Sequence, residues 1–440
     1  MGNSCCQSKQ VQYFEHFEYN SKVVLRIIER DKRSNYRGTS NVPFEVNPPI
    51  DQLYSIFDIG KAKYRAYGCV IPGQDPRGEV IKQCQDAYSF LVKDNIFFGM
   101  LFDGHGKEGQ KVAQFCKEFM SSYFLSNTKK FEKHIPKTLE ELVLLTDREL
   151  CLSQIDTYLS GSTAVVIVLN SDGVFVGSLG DSRAILATLP KDKAKISIPC
   201  TCAPFKRVIH PSRILSALPL TVDQKPNHED ELKRIRRAGG VVERVTNDIG
   251  NPIGPYRVWK RRGSLPGLAM SRSLGDRLAH EIGVISVPVV NCFEFYPALD
   301  QFIVVASDGV WDVMENIEVI NLVDKFRNNT ASYGNTYPAK SCNTTIARLV
   351  CEEARYRWFG IVEDEDVMID DISCFVIELS SVEPGLPWDS ENIVDRTVNT
   401  LKSIVICETF DIEDNQIVRK DPTRGSVMED KTSLEIEVQE

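Results

Sequence analysis

The chain lacks any run of about 20 apolar residues, the length a bilayer-crossing helix needs, and no apolar leader of the secretory kind opens it. Its 13 cysteines form no paired framework. Cys200 and Cys202 come nearest to a metal pair, but no second Cys or His pair stands at zinc spacing, so they read as two thiols. A basic excess is also missing: the net charge is −9, which works against bulk attraction to nucleic acid. These absences leave a cytoplasmic chain with reduced thiols as the expectation, neither secreted nor membrane-spanning, and without a nucleic-acid partner. What is there is ordinary for a globular protein: 440 residues, 42% apolar and 26% charged, enough for a large core.

The most informative stretch is Asp103-Gly104-His105-Gly106. The continuous apolar run over 96–102 predicts a buried strand, and Val112, Phe115, Cys116 and Phe119 predict a helix behind it. A carboxylate and an imidazole thus stand where a strand ends in a tight glycine turn. An acid there can hold a hard cation, and a histidine two residues on can pass a proton. Asp308-Gly309 repeats the arrangement after the apolar run 301–307. Asp86 precedes an expected strand over 89–92, and Asp370-Asp371 precedes one over 372–379. Four acids at strand ends suggest a carboxylate-rich metal site. Oxygen ligands without thiolates favour Mg²⁺ or Mn²⁺ over zinc.

Elsewhere, helices are expected over 137–158, 316–327 and 339–358. Another should begin at an Asn227 N-cap and end at Gly239-Gly240. Residues 164–179 read as a hairpin, and about 190–218 as an exposed basic insertion. The expected organisation is an N-terminal acylation and basic segment over 1–50, a main domain over 51–384, and a mobile tail over 385–440. The start, Met-Gly-Asn-Ser-Cys-Cys, offers Gly2 for myristate and Cys5 and Cys6 for palmitate. Two acyl chains would make a stable membrane anchor where one is marginal. Residues 21–33 combine apolar and basic side chains, either as a helix lying on acidic lipid or as an element packed on the main domain.

Taken in order, the sequence resembles the protein phosphatase 2C (PPM) family of metal-dependent Ser/Thr protein phosphatases. The resemblance is carried by Gln85-Asp86-Ala87, Asp103-Gly104-His105-Gly106, Ser160-Gly161-Ser162-Thr163-Ala164, Gly180-Asp181-Ser182-Arg183-Ala184, the run 268–276, Asp308-Gly309-Val310-Trp311-Asp312, and Asp370-Asp371. It implies an α+β fold, a sandwich of two antiparallel β-sheets flanked by α-helices, acting on phosphorylated proteins as a monomer. It implies two Mg²⁺ or Mn²⁺ ions. Asp103 would bridge them, with the Gly104 carbonyl, Asp308 and Asp370 as ligands and Asp86 serving the second ion. Asp181 and Asp312 match a third, weaker position. Cations so held activate water and clamp phosphoryl oxygens; His105 would protonate the leaving Ser or Thr oxygen.

Three departures stand out. Gln85 replaces a frequent Glu. The last motif is usually Asp-Asn, so Asp371 could replace Asp370. The family's phosphate-binding Arg falls at Ile81, leaving Lys82 as the substitute point charge.

Two rivals are weighed against this. Cys351 and Arg357 satisfy the Cys-x5-Arg spacing of thiol phosphatases, but in a helical pattern, without a phosphate loop, and beside Glu352 and Glu353, which would raise a thiol's pKa. A catalytically weak phosphatase-like scaffold would have lost Asp103, Asp308 or Asp370; all three are present.

Overall fold

The computed structural model describes residues 51–60, 62–74, 83–190, 214–247, 249–261, 263–332, 345–361, 368–379, 410–413 and 416–419. They belong to two units, 1–403 and 404–440.

The first unit is built on two sheets in which every ladder is antiparallel. One sheet runs Asp51–Ile59, Ala62–Ile71, Ile372–Glu378, Asp300–Ala306, Arg183–Thr188, Ser216–Pro219. The other runs Leu274–Gly275, Gly161–Ser162, Ile96–His105, Ala164–Asn170, Gly173–Leu179, Val289–Phe293, and Asp86–Lys93 also pairs with Ile96–His105.

The period-2 rule explains why the central strands read as unbroken apolar runs. In Asp300–Ala306, Ile303 and Val305 meet Phe97, Leu101 and Val165 of the other sheet. Phe302, Val304 and Ala306 face the opposite way, onto Val319, Val323 and Val350 of the helices Asn316–Ser332 and Ile346–Ile361. In Ile96–His105, Phe98, Met100 and Phe102 pack on Val112, Cys116 and Met120 of Gly109–Lys133 and on Leu139 and Leu142 of Ile135–Leu152. Each central strand is buried on both faces, so both positions of the repeat are apolar. The layers are helices, sheet, sheet, helices: the expected α+β sandwich.

Several local boundaries differ from the sequence reading. The helix expected over 137–158 is Ile135–Leu152. Pro136 lies in its first turn, and the extended Ser153 ends it, its hydroxyl donating to the Leu150 carbonyl at 2.7 Å. His228, not Asn227, is the N-cap of Glu229–Arg237 and makes no side-chain cap; Glu229, Asp230 and Glu231 complement the helix start instead. The strand expected over 89–92 spans Asp86–Lys93, so Asp86 lies inside it. The end of the stretch read as an insertion is core: Leu215 is buried and Ser216–Pro219 closes a sheet edge, while 191–213 lie outside the described residues. The expected boundary at residue 50, Cys200 and Cys202, and the boundary at 384 also lie outside them. The second unit contains a hairpin, Phe410–Glu413 with Gln416–Arg419, that the sequence reading did not anticipate. Among the described residues no helix is long and apolar enough to cross a membrane.

A smaller three-stranded sheet, Gly240–Thr246, Pro252–Lys260 and Pro266–Leu268, shares its own core with Glu229–Arg237 through Ile235, Val242, Val258 and Leu268. Glu231 ties this part to the run 268–276. Its carboxylate accepts from Arg234 at 2.8 Å, Arg272 at 2.7 Å and the Ser271 hydroxyl at 2.5 Å. Burial alone would raise its pKa, but the two guanidinium groups overcome that and pull it down to about 2. Glu231→Gln should therefore destabilise the fold at neutral pH by up to about 3 kcal/mol. Because the folded pKa is depressed, the wild-type advantage is present above the ordinary glutamate range and lost as pH falls toward 2. Denaturant unfolding of both proteins at pH 7 and near pH 3 measures this; a gap that does not narrow in acid would refute the assignment.

Candidate metal centre

Two acids come from each sheet, at one end of the sandwich. Asp86 and Asp103 stand directly opposite each other across their ladder, which places both carboxylates on one face. Asp308 opens the short helix Asp308–Trp311 immediately after Asp300–Ala306 and Ser307. Asp370 lies just ahead of Ile372–Glu378, the neighbouring strand. Ser307 locks those two strand ends: its N–H donates to the Ser373 carbonyl at 3.0 Å and its hydroxyl accepts the Ser373 N–H at 3.0 Å.

The acids are close enough to disturb one another. Burial, then the charges of Asp371 and Asp370, pushes Asp86 up to about 7. Burial, then Asp308, Asp86 and Asp370, holds Asp103 well above the usual carboxylate range. Asp308 is raised likewise, by burial and then by Asp181, Asp370 and Asp312. Both carboxylate oxygens of Asp86, and one each of Asp308 and Asp181, are buried without a hydrogen-bond partner among the described residues. Such groups are costly unless a proton or a cation joins them. Among the described residues no three Asp, Glu, His or Cys side chains already surround one point. The donor set, all oxygen and strongly acidic, suits a hard divalent cation.

Asp370 and Asp371 differ in their partners. Asp371 is buried, and its two oxygens accept the N–H groups of Gly73 at 2.6 Å and Gln85 at 2.9 Å. It anchors the chain entering Asp86. The charge of Asp370 reaches Asp103 and Asp308, while that of Asp371 bears on Asp86.

The remaining motifs orient Asp103 and the turn after it. The Thr163 hydroxyl accepts the Asp103 N–H at 3.0 Å and is braced by Ser182 at 2.7 Å, while the Ser162 hydroxyl donates to the Asp103 carbonyl at 3.2 Å. Gln85 donates its side-chain amide to the Gly106 carbonyl at 2.6 Å, so the residue that departs from the family pattern clasps the turn. A Cβ at Gly104 would come within 2.4 Å of the Gly109 carbonyl oxygen, and Gly106 has φ +80°.

His105 does not stand alone. Its Nε2 lies 2.6 Å from the Asp276 carboxylate, which also accepts the Ser273 hydroxyl at 2.6 Å. Asp276 is held in a left-handed conformation by its N–H bond to the Ser160 carbonyl at 3.0 Å. Burial works against a charged imidazole, but the Asp276 charge and hydrogen bond outweigh it, so the His105 pKa is raised overall.

Residues 79–357 match the family model described as Protein phosphatase 2C. The chain belongs to the protein phosphatase 2C family. It is 30% identical over 293 residues to probable protein phosphatase 2C 72 of Arabidopsis thaliana, covering 64% of this chain and 76% of that protein. Over 307 residues it is 30% identical to probable protein phosphatase 2C 35 of the same plant, covering 66% and 77%. The fold is similar to that of a serine-threonine phosphatase 2C from Toxoplasma gondii, with TM-score 0.54 and 19% identity over 76% of this chain and 99% of that one. The chain is thus a protein-serine/threonine phosphatase, of a family that uses Mg²⁺ or Mn²⁺ in general.

Within this phosphatase, Cys351 is a core residue. It is fully buried in its helix, and its thiol is pushed up by burial and by contact with Cys69 and Cys374. The glutamates beside it are not the cause: Glu352 pairs with Arg348 and Glu353 with Arg357. Asp181 is buried with one oxygen on Lys225 Nζ, and Asp312 is exposed. Arg183 fixes the chain ahead of Lys225 by a bidentate pair with Asp223 at 2.9 and 2.7 Å. Sequence reasoning gave neither Asp276 nor Lys225 a role. The only local signal for Asp276 was its place at the end of the run 268–276. Lys82, Gly2, Cys5 and Cys6 lie outside the described residues.

Proposed function

We propose that the chain hydrolyses phosphoserine and phosphothreonine in proteins, with Mg²⁺ or Mn²⁺ held by Asp86, Asp103, the Gly104 carbonyl, Asp308 and Asp370. Asp181 and Asp312 border an outer position, where Lys225 Nζ already contacts Asp181. The observation that carries the reading is that Asp86 of one sheet and Asp308 at the end of the other bury carboxylate oxygens with no hydrogen-bond partner among the described residues. When bound, the cations lower the pKa of water and neutralise phosphoryl oxygens. The protein's own part is to hold the four acids on two rigid strand pairs and to keep His105 protonated. Asp276 orients the imidazole and stabilises its charge, so that it can give a proton to the departing Ser or Thr oxygen. Turnover of a phosphopeptide should require added Mg²⁺ or Mn²⁺ and vanish with chelator; full turnover in excess chelator would overturn the reading.

The N-terminus supports a membrane location. Gly2 is the only amine open to myristate once Met1 is removed, and Cys5 and Cys6 can add palmitate. Gly2→Ala should move the protein from membrane to soluble fractions without changing turnover on a soluble substrate. A wild-type N-terminus found free or acetylated by mass spectrometry would end the membrane proposal alone.

A further inference from the structure

Beside the acids stands one amino group that the mechanism does not use. Lys225 Nζ contacts the Asp181 carboxylate. The lysine side chain is 29% exposed and its partner 3%. The backbone just ahead of it is fixed. Asp223 is clamped by Arg183, and the Gln224 side chain accepts the Gly180 N–H at 2.6 Å while its own N–H donates to the Gly180 carbonyl at 2.9 Å. The Ser271 N–H in turn donates to the Gln224 carbonyl at 2.8 Å. Lys225 is therefore built against Gly180-Asp181 and is not a surface lysine that happens to lie near an acid. The other oxygen of Asp181 is buried and has no hydrogen-bond partner among the described residues.

We propose that Lys225 is a resident cation of the acid cluster: its ammonium group occupies the Asp181 carboxylate and excludes a divalent ion from the outer position, leaving the two inner ions as the resting complement. This rests on the metal-centre reading above. The argument is electrostatic. Asp181 is nearly devoid of water and needs a positive partner. Asp308 and Asp312 lie near enough to sense its charge. A single ammonium meets that need at no cost in metal dehydration, whereas Mg²⁺ gives up its water reluctantly. The two cannot share the carboxylate, because an ammonium and a dication a few ångströms apart repel strongly at low dielectric. Entry of a third ion requires Lys225 to leave. Removing its charge should open the position.

Mn²⁺ binding to the full chain, read as free ion by electron paramagnetic resonance during titration, tests this without reference to turnover. Wild type should bind two ions. Lys225→Gln and Lys225→Met should each bind one more, at least tenfold tighter than any third ion in wild type. Lys225→Arg should behave as wild type. Adding Asp181→Asn to Lys225→Gln should remove the extra ion. Superimposable isotherms for wild type and both neutral variants would overturn the proposal. So would an arginine variant that gains the ion, or an extra ion that persists without Asp181. A wild type that binds no Mn²⁺ would bring down the metal-centre reading itself, a separate result from a two-ion wild type whose variants gain nothing.

Discussion

Asp103→Ala should lose nearly all phosphopeptide turnover, at least about 10³-fold. Asp103 would be the ligand shared by the two ions proposed above, and several kcal/mol of Lewis-acid stabilisation would convert to a factor of ten for each ~1.4 kcal/mol. Loss of activity by unfolding is excluded by the opposite sign of the stability change. The folded pKa of Asp103 is raised by burial and by Asp308, Asp86 and Asp370. The fold therefore favours its protonated form. That contribution is full below the ordinary carboxylate pKa and is lost as pH rises through the folded one. In chelator its charged form, buried among other acids, is a liability. Asp103→Asn should then melt higher than wild type, by about 2–4 °C for each kcal/mol recovered. The gap should close as pH is lowered into the ordinary carboxylate range. An Asn variant that melts lower than wild type in chelator, or an Ala variant with substantial turnover, would count against Asp103 as the shared ligand.

His105→Ala should lower kcat on phosphopeptide by roughly 10²–10⁴-fold, the range of general acid catalysis. The loss should be smaller on aryl phosphates, whose leaving groups need less protonation. Asp276→Asn probes the same proton from behind. It keeps the shape that holds Ser273 and His105, but removes the charge that raises the His105 pKa against burial. The acid form is available below that pKa and lost as pH rises through it. The alkaline limb of the pH–rate profile should therefore move to lower pH in Asp276→Asn, with the larger deficit on the alkaline side. Equal losses for His105→Ala on both substrate classes, or an unmoved alkaline limb in Asp276→Asn, would remove the imidazole from the proton transfer.

Much of the site is visible in the sequence because its pieces are local. An apolar run followed by Asp-Gly places an acid at a strand end through the backbone periodicity of a few neighbouring residues, and this happens at both Asp103 and Asp308. The same local logic misjudged ends. Helix Ile135–Leu152 stops where Ser153 turns its hydroxyl back to Leu150, and the N-cap fell one residue later than Asn227. Competing turn residues decide such termini within a residue or two.

Local patterning alone carried the family resemblance, the sandwich of apolar strands, the order of the acids and the oxygen-only character of the candidate ligands. Tertiary structure decided which acid does what. Asp371 beside Asp86 gives its oxygens to the N–H groups of Gly73 and Gln85, 298 and 286 residues away in the chain. Asp276 becomes the partner of His105 across 171 residues, and Lys225 that of Asp181 across 44. Asp370 and Asp371 stand side by side just ahead of Ile372–Glu378, alike in composition and different in their partners. Only the register of the paired strands, set by packing over the whole core, tells a ligand from an anchor.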